Sequence, residues 1–272
     1  MPAFYSLKFV LLMGYALFFD IDGTLVSFKT HQIPASTIFA LTQAKANGHK
    51  VFIATGRPPL ILTNVGAIEH LIDGYVAING ALCWVGEKII SCKDIAKDEA
   101  QIVVNDAQKK QYGLIVVGEK SVSVLDPKGE VDRIFRQEIA VENLDLARPI
   151  EEVMEQRILQ MTPFFDSLYE KELMAKLPHC ISGRWHPAFT DITAKGADKG
   201  EGILAMAEYF GLDPKMTMAF GDGGNDASMI RKSGIGIAMG NALDSLKQEA
   251  DYTTTSVDDD GVLNALRHFK VV

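Results

Sequence analysis

The chain has 272 residues, a formal net charge of -8 and a pI near 5.3, which leaves room for one large domain or two modest ones, each able to bury a core. Apolar residues make up 47% and charged residues 23%, the balance of an ordinary globular protein rather than a disordered one. The acidic balance excludes a general nucleic-acid binder, which needs a basic patch for phosphate contacts; it leaves an anionic substrate only for a pocket where local cations outweigh the whole.

In chain order the first feature is an apolar run over residues 9–19 (FVLLMGYALFF). It is shorter than the roughly 20 residues that a bilayer span takes. It also leads straight into an acidic segment with no small-residue cleavage site between. Residues 15–21 read as a buried strand, and either Met1 or Met13 can be the start, the first twelve residues being dispensable in the second case. Pro34 sits where a helix begins, Ile38, Leu41 and Ala44/Lys45 follow at helical spacing, and Gly48 closes the helix. Residues 50–54 (KVFIA) form a second strand, 58–70 a second helix, and 75–78 (YVAI) a third strand ended by Asn79-Gly80.

The middle differs. Residues 83–91 and 121–131 read as hairpins, the second turning on Asp126-Pro127-Lys128-Gly129, with further strands at 157–162 and 180–185. The strand–helix rhythm then returns: helix 200–210, strand 216–220, helix 226–232, strand 235–239, and helices 242–249 and 257–269. This alternation predicts an α/β fold, a doubly wound, Rossmann-like parallel sheet whose ligand sits at the carboxyl ends of the strands. The core domain is expected over 1–82 and 188–272, with a smaller α+β domain inserted at 83–187. Cys83, Cys92 and Cys180 are too scattered for a disulfide framework or a zinc site. With no later segment that reads as transmembrane, a reducing cytoplasm is the expected location.

Four short segments fall just after expected core strands or at the head of a helix. In Asp20-Ile21-Asp22-Gly23-Thr24-Leu25, the i and i+2 carboxylates of an extended stretch share one face, and they repel unless a cation or a shared proton intervenes. Alone, Asp-Gly is equally a surface turn. Ala54-Thr55-Gly56-Arg57 offers a hydroxyl, a glycine amide and a helix start, a plausible phosphate cradle. Asp198-Lys199-Gly200 reads by itself as an N-cap followed by a solvated lysine. Gly221-Asp222-Gly223-Gly224-Asn225-Asp226 combines permissive glycines with hard oxygen ligands of the kind Mg²⁺ takes.

Together, in this order and spacing, the four segments resemble the motifs of the haloacid dehalogenase superfamily. The insertion between the second and third, entered through VAINGA, resembles the Cof-type phosphatases with a subclass IIB α/β cap. The resemblance implies a Mg²⁺-dependent phosphatase for small phosphorylated metabolites, with sugar phosphates foremost. Asp20 is then the nucleophile that forms an aspartyl-phosphate, and Asp22 the acid and later base. Mg²⁺ is held by the Asp20 carboxylate, the Asp22 carbonyl and Asp222, while Asp226 supports the metal through water or orients Lys199. Thr55, Gly56 and Lys199 hold the phosphoryl oxygens, with Lys195 a competitor for the lysine role, and Asn225 bonds the phosphoryl group or the nucleophile. Arg57, Asn79, Gly80 and the 184–186 segment are candidates for leaving-group contacts, in a cap that closes over small substrates. A phosphomutase of the same fold and a non-catalytic binding module are the alternatives. The partner is a small metabolite, with no nucleic acid and no membrane, and the protein is a monomer or small homo-oligomer.

Overall fold

The computed structural model describes residues 14–62, 64–137 and 148–272 of the chain; the choice between Met1 and Met13 lies outside them. The chain forms two compact units. The first comprises the described parts of residues 1–56, 62–91 and 198–272, and the second those of 57–61 and 92–197.

Among the described residues, the first unit is built on an eight-stranded sheet. Its strands lie side by side as Tyr252–Thr253, Ile235–Ala238, Thr217–Gly221, Ala16–Phe19, Lys50–Ala54, Gly74–Ala77, Leu82–Val85 and Lys88–Cys92. The first six are parallel. Helices Ala35–Ala46, Lys199–Tyr209, Ala227–Lys232, Asp244–Glu249 and Gly261–His268 accompany them, so the expected doubly wound α/β core is present. Ala16–Phe19 is buried at every position, as a parallel strand covered on both faces requires. Phe18 stacks on Phe52 with centroids 4.6 Å apart and Phe19 on Phe220 at 4.5 Å. The central strand is thereby pinned on both sides. After it the chain order reverses, since Lys50–Ala54 lies on one side and Thr217–Gly221 on the other. That reversal is the point where an open α/β sheet parts its loops and receives a ligand.

Four local expectations change. Residues 58–70 form two short 3₁₀ turns, Pro59–Ile61 and Gly66–Leu71, rather than a helix, because Pro58 and Pro59 remove donors and Gly66 disfavours a continuous helix beyond them. The 83–91 hairpin extends the core sheet, with Leu82–Val85 antiparallel to Gly74–Ala77, so the first unit runs on to Ser91 and resumes at Asp198. The Asp126–Gly129 turn does not close a hairpin. Val122–Leu125 pairs backward with Leu114–Gly118, and the turn starts helix Glu130–Gln137, where Asp126 Oδ2 accepts from the Asp132 amide at 3.0 Å. The strands Phe189–Ala194 and Tyr252–Thr253 lie where the sequence reads as connections, the second being too short to show any period.

The second unit is a five-stranded sheet among the described residues, in the order Val122–Leu125, Leu114–Gly118, Ile158–Pro163, Phe189–Ala194, Cys180–His186. Its pairings are antiparallel. Val103, Val104 and Ala107 of helix Lys97–Lys110, with Val153, Met154 and Leu173, join Leu114, Val116, Met161 and Ile192 in its core. Period-two alternation turns Gln160 and Thr162 away from Met161, and both bond the Asp191 carboxylate, at 2.8 and 2.7 Å. No described helix is long and apolar enough to cross a membrane.

Candidate active site

The strand ends of the first unit carry the site. Asp20 follows the central strand, and its amide donates to the Phe220 carbonyl at 3.0 Å, which locks it beside the neighbouring strand. Gly23 then turns the chain with φ 86°, and a Cβ there would lie 2.2 Å from Asp222 Oδ2. Only glycine allows that approach. Asp222 follows the strand Thr217–Gly221, and Thr24 Oγ1 donates to its Oδ1 at 3.2 Å.

Lys199 opens helix Lys199–Tyr209, whose N-cap Asp198 accepts from the Glu201 amide. Asp198 and Glu201 pair in turn with Lys232, and Ser228 Oγ accepts from the Gly200 amide at 3.1 Å. So fixed, the Lys199 side chain is 0% exposed, and its Nζ donates to Asp20 Oδ1 and Asp226 Oδ1, both at 2.6 Å. Asp226 Oδ2 accepts the amides of Asp222 and Gly223, each at 2.9 Å. Asp226 is thus a buried brace between the lysine and the glycine-rich loop. Lys195, the competing lysine, is exposed and lies in the second unit.

Burial pushes the Asp20 carboxyl well above the ordinary range; the Lys199 ammonium opposes this, while Asp226, Asp222 and Asp22 add to it. Burial and the neighbouring Asp226 push Asp222 up to about 7, against the lowering effect of the Thr24 hydroxyl. For Lys199, burial favours the neutral amine, yet the carboxylates of Asp20 and Asp226 outweigh it and hold the ammonium raised. The cluster therefore holds more acid than its lysine neutralises. One oxygen each from Asp20, Asp222 and Asp226 lie within 4.8 Å of one another. Hard carboxylate donors short of positive charge are the donor set that suits Mg²⁺, so the residues fit that ion.

Thr55 is buried at the end of Lys50–Ala54, its amide bonded to the Val76 carbonyl at 2.8 Å. Ile78, Asn79 and Gly80 follow the next strand with φ of 52°, 49° and 89°. For a β-branched residue such as Ile78 this backbone is strained, by of order 1–3 kcal/mol. It is held because the Asn79 amide donates to the Thr55 carbonyl at 3.0 Å and Gly80 packs on the backbone of Asp198. The result brings Asn79 Oδ1 to Asn225 Nδ2 at 3.0 Å, both beside Gly56. Asp22 is half-buried and bridges to Val26.

Two further candidates have partners of their own. Arg57 groups with the second unit, where its Nη1 donates to the Ile61 carbonyl at 3.3 Å. Arg184 is engaged with Glu170 at 2.7 Å. Conversely, Asn241 belongs to none of the four motifs and reads in the sequence as part of a connection. Its Nδ2 donates to the Gly23 carbonyl at 2.8 Å and reaches Asp222 Oδ2 at 3.4 Å. The signal for it is Gly240-Asn241 directly after an apolar strand, the same punctuation that marks the other site loops.

A doubly wound sheet with acids converging at its switch point and a buried lysine between them defines the class: a phosphoryl-transfer enzyme on an α/β core. The comparisons narrow this. The haloacid dehalogenase-like hydrolase family pattern matches residues 17–266, and the chain belongs to that family, among its phosphatase-type enzymes. It is 31% identical over 260 residues to YkrA of Bacillus subtilis (strain 168), a protein named as a phosphatase, covering 92% of this chain and 96% of YkrA. The solved HAD subclass IIB sugar phosphatase BT4131 superposes with a TM-score of 0.88 at 46% identity, covering 95% of this chain and 100% of that one. The phosphatase BT1666 from Bacteroides thetaiotaomicron superposes at 0.86 with 34% identity, covering 96% of each chain.

Proposed function

We propose that the chain is a Mg²⁺-dependent phosphatase of small phosphorylated metabolites, sugar phosphates foremost, working through an aspartyl-phosphate on Asp20. The observation that carries this reading is Asp20 itself, buried at the switch point and held through Oδ1 by a fully buried lysine. The sugar phosphatase BT4131, at 46% identity, supports the substrate class.

The Asp20 carboxylate attacks phosphorus, and a bond to Asp20 forms as the ester P–O bond breaks. Asp22, two residues on, gives its proton to the departing alkoxide. It then takes a proton from the water that attacks the acyl phosphate, and phosphate leaves with Asp20 restored. Such placed acid–base help is worth roughly 10²–10⁴-fold. Lys199 fixes the orientation of the nucleophile and sets a cation beside the transferring oxygens, while Thr55, the Gly56 amide and Asn225 receive them. Asn79, through its bond to Asn225, frames that cradle. When bound, Mg²⁺ is held by the Asp20 and Asp222 carboxylates with the Asp22 carbonyl, and supplies charge neutralisation for the phosphoryl group. Asp226, with both oxygens engaged, supports Lys199 and the loop. The three cysteines are free, which supports a reducing, cytoplasmic setting.

The test is phosphate release from p-nitrophenyl phosphate and a panel of sugar phosphates, in Mg²⁺ and in EDTA, by wild type and Asp20→Asn. Metal-dependent release that the variant loses is expected. Release that persists in EDTA or in the variant contradicts the reading.

A further inference from the structure

Asp222 is gripped on both oxygens, and one of the two grips comes from a loop that no motif marks. Thr24 Oγ1 donates to Oδ1 at 3.2 Å, and Asn241 Nδ2 reaches Oδ2 at 3.4 Å. The same Asn241 amide group donates to the Gly23 carbonyl at 2.8 Å, while its Oδ1 accepts from the Val257 amide at 3.0 Å. Asn241 is exposed as a residue, yet its amide joins three backbone segments. These are the turn after Asp20, the loop carrying Asp222, and the turn at Val257–Asp259. The loop that bears it is itself fixed: the Met239 amide donates to the Gly221 carbonyl at 2.9 Å, the Gly240 amide to the Thr255 carbonyl at 3.0 Å, and the Leu243 amide to the Asp222 carbonyl at 3.0 Å.

The chemistry demands this side chain. The position needs two donors and one acceptor at once, and only a carboxamide supplies them. Aspartate would keep the acceptor and lose both donors; alanine loses all. Glutamine carries the groups one methylene further out.

We propose that Asn241 is a positioning residue for Asp222: with Thr24 it clamps the carboxylate in the orientation that receives Mg²⁺, and ties that orientation to the turn carrying the nucleophile. The inference rests on the Mg²⁺-dependent reading above. Asn241 touches no reacting atom in this scheme, so its loss acts on metal affinity, and saturating metal restores turnover.

The experiment is calorimetric titration of Mg²⁺ into wild type, Asn241→Ala and Ser27→Ala, with kcat and KM taken at low and saturating Mg²⁺. Ser27 is the control because its Oγ donates to Asp258 at 2.6 Å, tying the same turn without touching Asp222. Asn241→Ala is expected to bind Mg²⁺ about 10- to 100-fold more weakly, as partners that orient a ligating group do, with kcat recovered at saturating metal and KM for substrate little changed. Ser27→Ala is expected to melt earlier and bind Mg²⁺ as wild type does. Should Asn241→Ala fail to fold, Thr24→Val, which releases the other oxygen of the same carboxylate, is expected to show the same weakened binding and recovery. Wild-type affinity in the folded Asn241→Ala variant, or in Thr24→Val where it stands in, overturns the inference alone. Absence of Mg²⁺ uptake by wild type overturns the Mg²⁺ reading beneath it.

Discussion

Each unit contains a buried polar network, and the two networks differ in how they are made. In the first unit Asp20, Lys199 and Asp226 come from three loops at the ends of parallel strands or the head of a helix, and the lysine is 0% exposed between the acids. In the second, Gln160, Thr162 and Asp191 come from the middle of antiparallel strands and bond across the ladder. A parallel sheet sends all its strand ends to one edge, so functional groups gather there in short contiguous segments. An antiparallel sheet spreads them along a face at every second position, where each reads as ordinary strand polarity. The first arrangement concentrates charge and invites a cation. The second pairs the Asp191 carboxylate with neutral donors of its own sheet, which stabilises rather than reacts.

The largest expected difference between the regions is in turnover. Asp20→Asn should reduce phosphate release on the order of 10⁴-fold or more, as removal of a nucleophile does, while Thr162→Val should leave p-nitrophenyl phosphate hydrolysis within a few-fold of wild type, both read in one steady-state assay. A large loss in Thr162→Val would erase the contrast. Lys199→Met comes next: it strands two buried carboxylates and is expected to cost about 3–5 kcal/mol in urea unfolding at neutral pH. In the second unit, Asp191→Ala removes the acceptor that the Gln160 amide and the Thr162 hydroxyl share, leaving Gln160 only its bond to Thr162, and about 1–3 kcal/mol is expected from the same measurement.

The smallest effect is the most specific. A carboxyl raised in the folded state favours its neutral form. Its contribution to stability is full below its ordinary value of 3.8 and lost as pH rises through about 7 for Asp222. In EDTA the wild-type Tm should therefore carry a component that falls between pH 5 and pH 8. A component worth 1 kcal/mol amounts to about 2–4 °C for a chain of this size. Added Mg²⁺ should raise Tm more at pH 8 than at pH 5, because it binds the ionised form. Asp222→Asn should flatten both trends, and an equal Mg²⁺ shift at the two pH values would show that Asp222 does not carry them.

Much of the first unit is legible in the sequence, because fully apolar strands followed by Asp, Thr-Gly or Gly-Asp announce where the backbone leaves the core. Asp20, Thr55 and Asp222 stand out for that reason, while Lys199, at a helix head, is picked out only by the order and spacing of the four segments together. Asn241 does not, since its partners are backbone groups and a distant carboxylate that only the fold brings near. Residues 83–91 read as part of the insertion because a hairpin looks the same whether it extends one sheet or starts another; its pairing with Gly74–Ala77 decides the matter. Arg57 follows the Thr-Gly pair in sequence, and its guanidinium reaches past Pro58-Pro59 to the Ile61 carbonyl, a local contact that residue spacing does not show. The network around Asp191 leaves no trace in the sequence, because cross-strand register is a long-range property.

The central claim is that Asp20 carries the phosphoryl group. Acid-quenching the protein during turnover of p-nitrophenyl phosphate in Mg²⁺, then mapping phosphorylated peptides by mass spectrometry, tests it most directly. The account predicts an acid-stable, base-labile phosphoryl group on the peptide containing Asp20, absent in Asp20→Asn. A phosphoryl group on another residue, or turnover with no phosphorylated peptide at any quench time, would contradict it.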